Sequence, residues 1–343
     1  MPASAQSSYS EIVMEANSER VLYENRSDEI MPMASTTKIL TALVVIEDCS
    51  LDEIYQIPAE ACGIEGSSVY LAEGEKLKVS DLLYGLMLRS GNDCAVALAL
   101  FHSGSIEAFA QAMNERAQQL GAAHSHFVNP HGLPDPKHYT TARDLCKIAC
   151  AAMRNPVFKQ IVSSKKFGLP DSGCGYNRVW VNKNKMLYEF DGANGVKTGY
   201  TKAAGRCLVS GAERDGMQLV SVVLNCPPMY ERSAEILQQC FTEYSYRTIY
   251  LPKEHCVSTE VKGKTCRVFA REPFAYPLKE SELSDIEVKL NLPDTLSLPV
   301  QKGETVGEMQ ILFQNQLLFS QKIVSIEDVE KSFIDILRDI AKH

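Results

Sequence analysis

Met33-Ala34-Ser35-Thr36-Thr37-Lys38-Ile39-Leu40 is the stretch whose reading decides the rest of the chain. A small, polar run opens an apolar segment, Ile39 to Ile46, with helical character. Positions i and i+3 of a helix share a face, so the Ser35 hydroxyl and the Lys38 amine can meet at hydrogen-bond distance. A serine hydroxyl is a poor nucleophile until a nearby base activates it. A lysine can be that base once burial or another cation lowers its pKa. Taken alone, the four residues from Ser35 to Lys38 read more simply as a helix start with Ser35 as the N-cap. Partners further along the chain decide between the two readings.

Ser90-Gly91-Asn92 follows a helical run ending at Leu88 and places a hydroxyl and an amide at a helix–helix junction. Lys197-Thr198-Gly199 follows Gly195-Val196 and precedes β-rich sequence. A strand carrying Lys197 and Thr198 supplies a cation and a hydroxyl, and Gly199 removes a side chain where a substrate backbone would approach. Each tripeptide is weak evidence by itself. Their order carries more weight, with 55 residues from Ser35 to Ser90 and 107 from Ser90 to Lys197.

At 343 residues the chain suits two domains, or one large domain with an appendage. Its 45% hydrophobic and 23% charged composition is that of a globular protein with a sizeable core. The net charge is -8, and no basic stripe with interleaved aromatics offers a surface to nucleic acid. No run of eighteen apolar residues suggests a transmembrane helix. Ala3-Ser4-Ala5 has the small-x-small form of a signal-peptidase site, without the charged and apolar regions that precede one. It reads as the start of a mature exported protein behind an added Met, or as a polar tail. The eleven cysteines include no C-x-x-C pair, and His124 and His126 have no thiols nearby, so neither a metal site nor a cofactor is expected. Most of the cysteines are expected to be small buried hydrophobes.

The periodicity predicts a β-hairpin over residues 9–14 and 21–23, then helices over 35–49, 79–88 (with Ser80 as cap), 93–102, 106–120 and 141–153. The last of these is stopped near Asn155-Pro156. Strands over 207–212 and 219–224, joined by Arg214-Asp215-Gly216, precede a helix over 230–246. Strands from both ends of this region can form one antiparallel sheet with helices packed on it. Five strand-like runs follow between Val257 and Val324. The tail, 326–343, carries Val329, Phe333, Ile336, Leu337 and Ile340 on one helical face. The expected domains are therefore 1–250, a small β-rich domain over 251–325, and a C-terminal amphipathic helix over 326–343.

S-x-x-K, S-x-N and K-T-G in this order are the signature shared by class A β-lactamases and penicillin-binding proteins. The chain resembles the serine-type D-Ala-D-Ala carboxypeptidases, the low-molecular-mass penicillin-binding proteins. Gly66-Ser67-Ser68, Gly74-Glu75, Phe127-Val128-Asn129-Pro130-His131-Gly132-Leu133 and Thr140-Thr141-Ala142-Arg143-Asp144-Leu145 extend the resemblance over roughly residues 9 to 247. It implies an α/β (α+β) fold with a central antiparallel sheet flanked by helices, and a small all-β domain after it. The implied reaction is removal of the terminal D-Ala from peptidoglycan stem pentapeptides through an ester on Ser35, with β-lactams as covalent inhibitors. Lys38, kept partly neutral by Lys197, would be the base, and Ser90 would relay a proton to the leaving group. Asn92 would hold the substrate amide. The N–H groups of Ser35 and Tyr200 would form the oxyanion hole, and Lys197, Thr198 and Gly199 would line the substrate strand. Arg232, matched by its offset from Lys197, would serve the terminal carboxylate. His131 and Asp144 are expected to be structural. The implied location is exported, on the extracytoplasmic face of the bacterial membrane or in the wall.

Two readings compete. A class A β-lactamase needs a glutamate to activate the deacylating water, yet Glu107, Glu115 and Glu189 between Ser90 and Lys197 lie in no E-x-x-N arrangement. A non-catalytic wall-sensing module would have lost a motif residue, and none is lost. A transpeptidase differs only in the acceptor that resolves the acyl-enzyme. The tail helix would rest on a membrane in some relatives, but its polar face here is more acidic than basic, which anionic lipid repels.

Overall fold

The computed structural model of the chain describes residues 9–252, 257–261, 264–292 and 298–330. The chain divides into two compact units, Met1–Thr242 and Glu243–His343.

The first unit opens with the hairpin β1 (Ser10–Glu15) and β2 (Val21–Asn25). A 3-10 turn, Ala34–Thr37, runs directly into α1 (Lys38–Asp48), and every residue of α1 from Lys38 to Val45 is buried. Then come β3 (Ile54–Gln56), β4 (Lys76–Lys78), α2 (Val79–Arg89), α3 (Asn92–Ser103), α4 (Ile106–Gln119) and α5 (Ala142–Arg154). Ser80 does not cap α2. The helix starts one residue earlier, and the Asp81 carboxylate reaches back to the Lys78 N–H at 3.1 Å. Asn155-Pro156 stops α5 as expected and also starts α6 (Pro156–Ser163). Pro156 sits where a missing N–H costs nothing, and Asn155 Oδ1 accepts from the N–H groups of Val157 and Phe158. The hairpin β5 (Lys166–Leu169) and β6 (Arg178–Val181), the short α7 (Met186–Glu189), and β7 (Ala193–Thr201), β8 (Gly205–Arg214) and β9 (Met217–Leu224) follow, and α8 (Met229–Glu243) closes the run.

The sheet order is β2-β1-β9-β8-β7, antiparallel throughout. The first and last parts of the unit thus meet at β1 and β9, as the strand pattern suggested. Ile12, Val209 and Val222 on one face share a core with Leu40 and Leu43 of α1 and Ile148 of α5. Each such fully buried side chain contributes about 1.5–3 kcal/mol. This arrangement leaves β7 as an edge strand and fixes α1 beside it.

The second unit contains β10 (Ser245–Tyr250), β11 (Val257–Val261), β12 (Lys264–Ala270), β13 (Phe274–Leu278), β14 (Ile286–Asn291), β15 (Thr305–Phe313) and β16 (Gln316–Ser325). β10 pairs with β13, and the others form a sheet in the order β11-β12-β16-β15-β14. The helix expected to reach Tyr246 ends at Glu243, because Ser245 to Tyr250 is rich in β-formers and becomes β10. The expected tail helix does not begin at Ile326. Val329 pairs with Val300 instead and is buried in the core of this unit with Met309 and Ile311. The remainder of that tail, residues 331–343, lies outside the described residues.

Candidate active site

The turn before α1 is shaped by its own hydroxyls. Thr36 Oγ1 donates to Met33 O at 2.6 Å and Thr37 Oγ1 to Ala34 O at 2.9 Å. Ser35, between Ala34 and Thr36, caps nothing. Its half-buried hydroxyl lies 3.0 Å from Lys38 Nζ.

Lys38 is fully buried. Besides Ser35, its Nζ meets Asn92 Oδ1 at 2.7 Å and the His131 carbonyl at 2.7 Å. The orientation of the Asn92 amide is set at its other end, where Nδ2 donates to Glu65 O. A neutral amine has two hydrogens and one lone pair. In the protonated form Nζ donates to all three oxygens; in the neutral form Asn92 Oδ1 and the His131 carbonyl take the two hydrogens and the lone pair faces the Ser35 O–H. Burial first, and the charge of Lys197 second, hold the Lys38 pKa well below the usual lysine range. The direction anticipated from Lys197 is present, but desolvation is the larger cause.

Ser90 and Asn92 come from the junction of α2 and α3. Ser90 ends α2 in the left-handed region, with φ 65° and a nearly buried side chain. A serine held there is strained backbone of the kind that collects at functional sites. Two residues on, Asn92 starts α3 and donates its own N–H to Ser67 O at 2.7 Å.

β7 brings Lys197, Thr198, Gly199 and Tyr200 past the turn. A Cβ on Gly199 would stand 3.1 Å from both Ser35 N and Met33 O, so the strand can pass only where there is no side chain. Tyr200, next on the strand, is exposed. Lys197 is buried, its Nζ donates to Thr198 O at 2.9 Å, and burial with the nearby Lys183 charge pushes its pKa down to about 7.

Three contributors escaped the sequence reading. The His131 residue matters through its carbonyl on Lys38, while its ring accepts the Leu133 N–H and is pushed down to about 3 by burial. Gly132 has φ 89°, and a Cβ there would fall 1.9 Å from Ala34 O, so the loop lies hard against the 3-10 turn that carries Ser35. Lys183 has its own pKa lowered by burial and by Arg89, the residue before Ser90. Its backbone is fixed by neighbours: Asn184 Nδ2 donates to Gly195 O at 2.9 Å. Lys183 sits 14 residues before Lys197 on a separate segment, and no spacing rule links the two.

Arg232 does not join this cluster. Its guanidinium donates to both carboxylate oxygens of Glu11 at 2.8 Å each, to Tyr23 Oη at 2.7 Å and to Glu235 at 3.0 Å. Glu11 belongs to β1, three strand positions from β7, or about 14 Å across the sheet. The fully buried Glu11 carboxylate requires a cation, and α8 supplies it from Arg232. The guanidinium is held by this ion pair. Asp144 is structural, accepting from the His124 N–H at 2.7 Å and Ser125 Oγ at 2.9 Å.

The family model for D-alanyl-D-alanine carboxypeptidases matches residues 2–227. The chain belongs to that family. The model of the penicillin-binding protein 5 C-terminal domain matches residues 246–331, where the second unit lies. The D-alanyl-D-alanine carboxypeptidase DacF of Bacillus subtilis is 31% identical over 96% of this chain and 88% of its own length. Penicillin-binding protein 5 from Haemophilus influenzae superposes with a TM-score of 0.75 at 27% identity, over 94% of this chain and 97% of that one. A mutant of the Streptomyces K15 DD-transpeptidase matches at TM-score 0.65 and 32% identity, over 97% of its length but 68% of this chain. In fold and activity the protein is a D-alanyl-D-alanine carboxypeptidase, a serine-type peptidase with an all-β unit appended.

Proposed function

We propose that this carboxypeptidase removes the terminal D-Ala of peptidoglycan stem peptides with Ser35 as nucleophile and Lys38 as base. The observation that carries the reading is the buried Lys38 Nζ with three partners, so that loss of one proton leaves its lone pair facing the Ser35 hydroxyl. Ser35 Oγ attacks the carbonyl between the two D-alanines while Lys38 takes its proton. The N–H groups of Ser35 and Tyr200 receive the developing oxyanion, where one donor is worth about 3–4 kcal/mol in other enzymes. Lys38, now an ammonium, returns the proton through Ser90 to the leaving amine. Water then repeats the sequence on the ester, again with Lys38 as base. Asn92 positions Lys38 in the resting enzyme, and the same amide edge adjoins the substrate backbone as it lies along β7.

The substrate ends in a carboxylate, and the cations that meet it are Lys197 and, behind it, Lys183, with the Thr198 hydroxyl as donor. β-Lactams enter the same site and stop at the ester. A wall substrate places the enzyme outside the cytoplasmic membrane. Release of D-Ala from an N-acylated peptide ending in D-Ala-D-Ala tests the reading. Turnover is expected from the wild type and a loss of at least ~10³-fold in Ser35→Ala. Undiminished release by Ser35→Ala would overturn the assignment.

A further inference from the structure

β14 closes the five-stranded sheet of the second unit on one side. It pairs with β15 and, among the described residues, with no other strand. Its alternate residues Ile286, Val288 and Leu290 share one face. Val288 and Leu290 are 43% and 40% exposed, whereas Ile311 and Met309, their neighbours on β15, are fully buried. The apolar layer of the unit therefore runs out to its edge and stops there uncovered. A cavity of about 130 Å³ adjoins it, with Val288, Leu290, Met309 and Ile323 in its lining. We propose that β14 is an interaction edge for β14 of a second copy of this chain, the two strands pairing antiparallel about a two-fold axis at Val288.

Backbone chemistry supplies the first argument. An edge strand presents a row of N–H and C=O groups with which a further strand can pair. A two-fold interface uses the same patch on both copies, so the patch must complement itself.

The residue order of β14 supplies the second. With Val288 against its own copy, Ile286 faces the partner's Leu290, and Leu290 faces the partner's Ile286. The exposed apolar groups of both copies then cover one another. On the opposite face Glu287 meets the partner's Lys289, and Lys289 meets the partner's Glu287. Within one chain those two side chains already lie 3.0 Å apart and half exposed, so four charges of alternating sign gather at the axis. Centring the pair one residue to either side would set Glu287 or Lys289 against its own copy. A lysine on a bare edge ordinarily wards off stray strands. Glu287 beside it keeps that protection against other edges and admits this one. Six residues a side make a small interface, so the dimer is weak and reversible rather than permanent.

Sedimentation of the full chain over a wide range of concentration tests the proposal. The wild type is expected to pass from monomer toward dimer as the concentration rises. Glu287→Lys and Lys289→Glu each set like charges opposite one another in a homodimer, and each is expected to weaken self-association by about tenfold. An equimolar mixture of the two variants brings opposite charges back to both positions, and is expected to dimerise as the wild type does. Hydrogen exchange on the wild type alone gives a second readout: amides within residues 286–291 are expected to exchange more slowly as the concentration rises. A monomer at every concentration would overturn the proposal. So would a dimer that the single reversals leave intact, or one that mixing the folded variants fails to restore. Protection of residues 286–291 that is independent of concentration would also overturn it, and would point to an occupant from the chain itself.

Discussion

The proposed chemistry turns on Lys38. An ordinary lysine is protonated at neutral pH and cannot take a proton from serine. Here the buried position disfavours the charge, and Lys197 disfavours it further. Lys197 itself titrates near 7, so its effect on Lys38 grows as the pH falls below that value. Replacing Lys197 by Gln removes a positive neighbour and lets the Lys38 pKa rise toward its ordinary value. The neutral fraction of Lys38 at a given pH then falls. The acid limb of the pH profile for penicillin acylation, measured at saturating antibiotic, is expected to move to higher pH in Lys197→Gln. An unmoved limb would show that Lys197 does not tune the base. The pairing of Ser35 with Lys38 was legible in four residues, because i and i+3 on one turn leave little freedom. The His131 carbonyl was not, since a backbone oxygen leaves no mark in the side-chain sequence.

At the scale of elements, the site is a close approach of four segments: the 3-10 turn before α1, the α2–α3 junction, the loop at residues 129–133, and β7. The loop is built by Asn129, whose Oδ1 accepts from Gly132 N at 2.7 Å and whose Nδ2 donates to Leu133 O at 3.0 Å. Thr41 Oγ1 fastens α1 to the loop through Pro130 O at 2.7 Å. On the other side the glycine of the strand motif lets β7 graze Ser35 N. Gly199 has no positive φ, so the space is the only constraint on it. In Gly199→Ala the added methyl pushes β7 from the turn, at a cost of roughly 1–3 kcal/mol. The expected result is a folded protein, by circular dichroism and urea midpoint, with penicillin acylation slowed at least tenfold. Acylation at the wild-type rate would mean that the strand does not need this approach. Helices α1 to α5 and α8 were readable from their 3.6-residue period and the stop at Asn155-Pro156, whereas the short α6 and α7 were not. Nor were the short strands β3 to β6, because three or four residues carry too little alternation to be seen.

On the scale of the whole molecule, the sheet joins the first and last strands of the first unit, a meeting that local patterns only suggested. β1 and β9 are adjacent in space and about 200 residues apart in sequence, a pairing set by burial of both faces rather than by any motif. Arg232 has contacts that sequence offset does not reveal. Its distance from Lys197 along the chain matches the family arginine, and α8 also brings it to Glu11 of β1 and Tyr23 of β2. The ion pair ties α8 to β1. Arg232→Ala leaves the Glu11 carboxylate buried and unpaired, and is expected to lower unfolding stability by about 3 kcal/mol. The folded fraction should still be acylated at close to the wild-type rate. A variant of full stability with strongly reduced acylation would support the carboxylate role of Arg232. The second unit was legible as β-rich from its turns and β-branched runs, but β10 was hidden in what reads as the end of a helix, where Tyr244 to Tyr246 satisfies both patterns.

The most direct measurement is intact-protein and peptide mass spectrometry after brief exposure to benzylpenicillin. One adduct with the mass of the whole antibiotic is expected, located on Ser35, absent from Ser35→Ala and formed much more slowly in Lys38→Met. An unmodified wild-type protein, or an adduct on any other residue, would contradict the assignment of Ser35 and Lys38 as nucleophile and base.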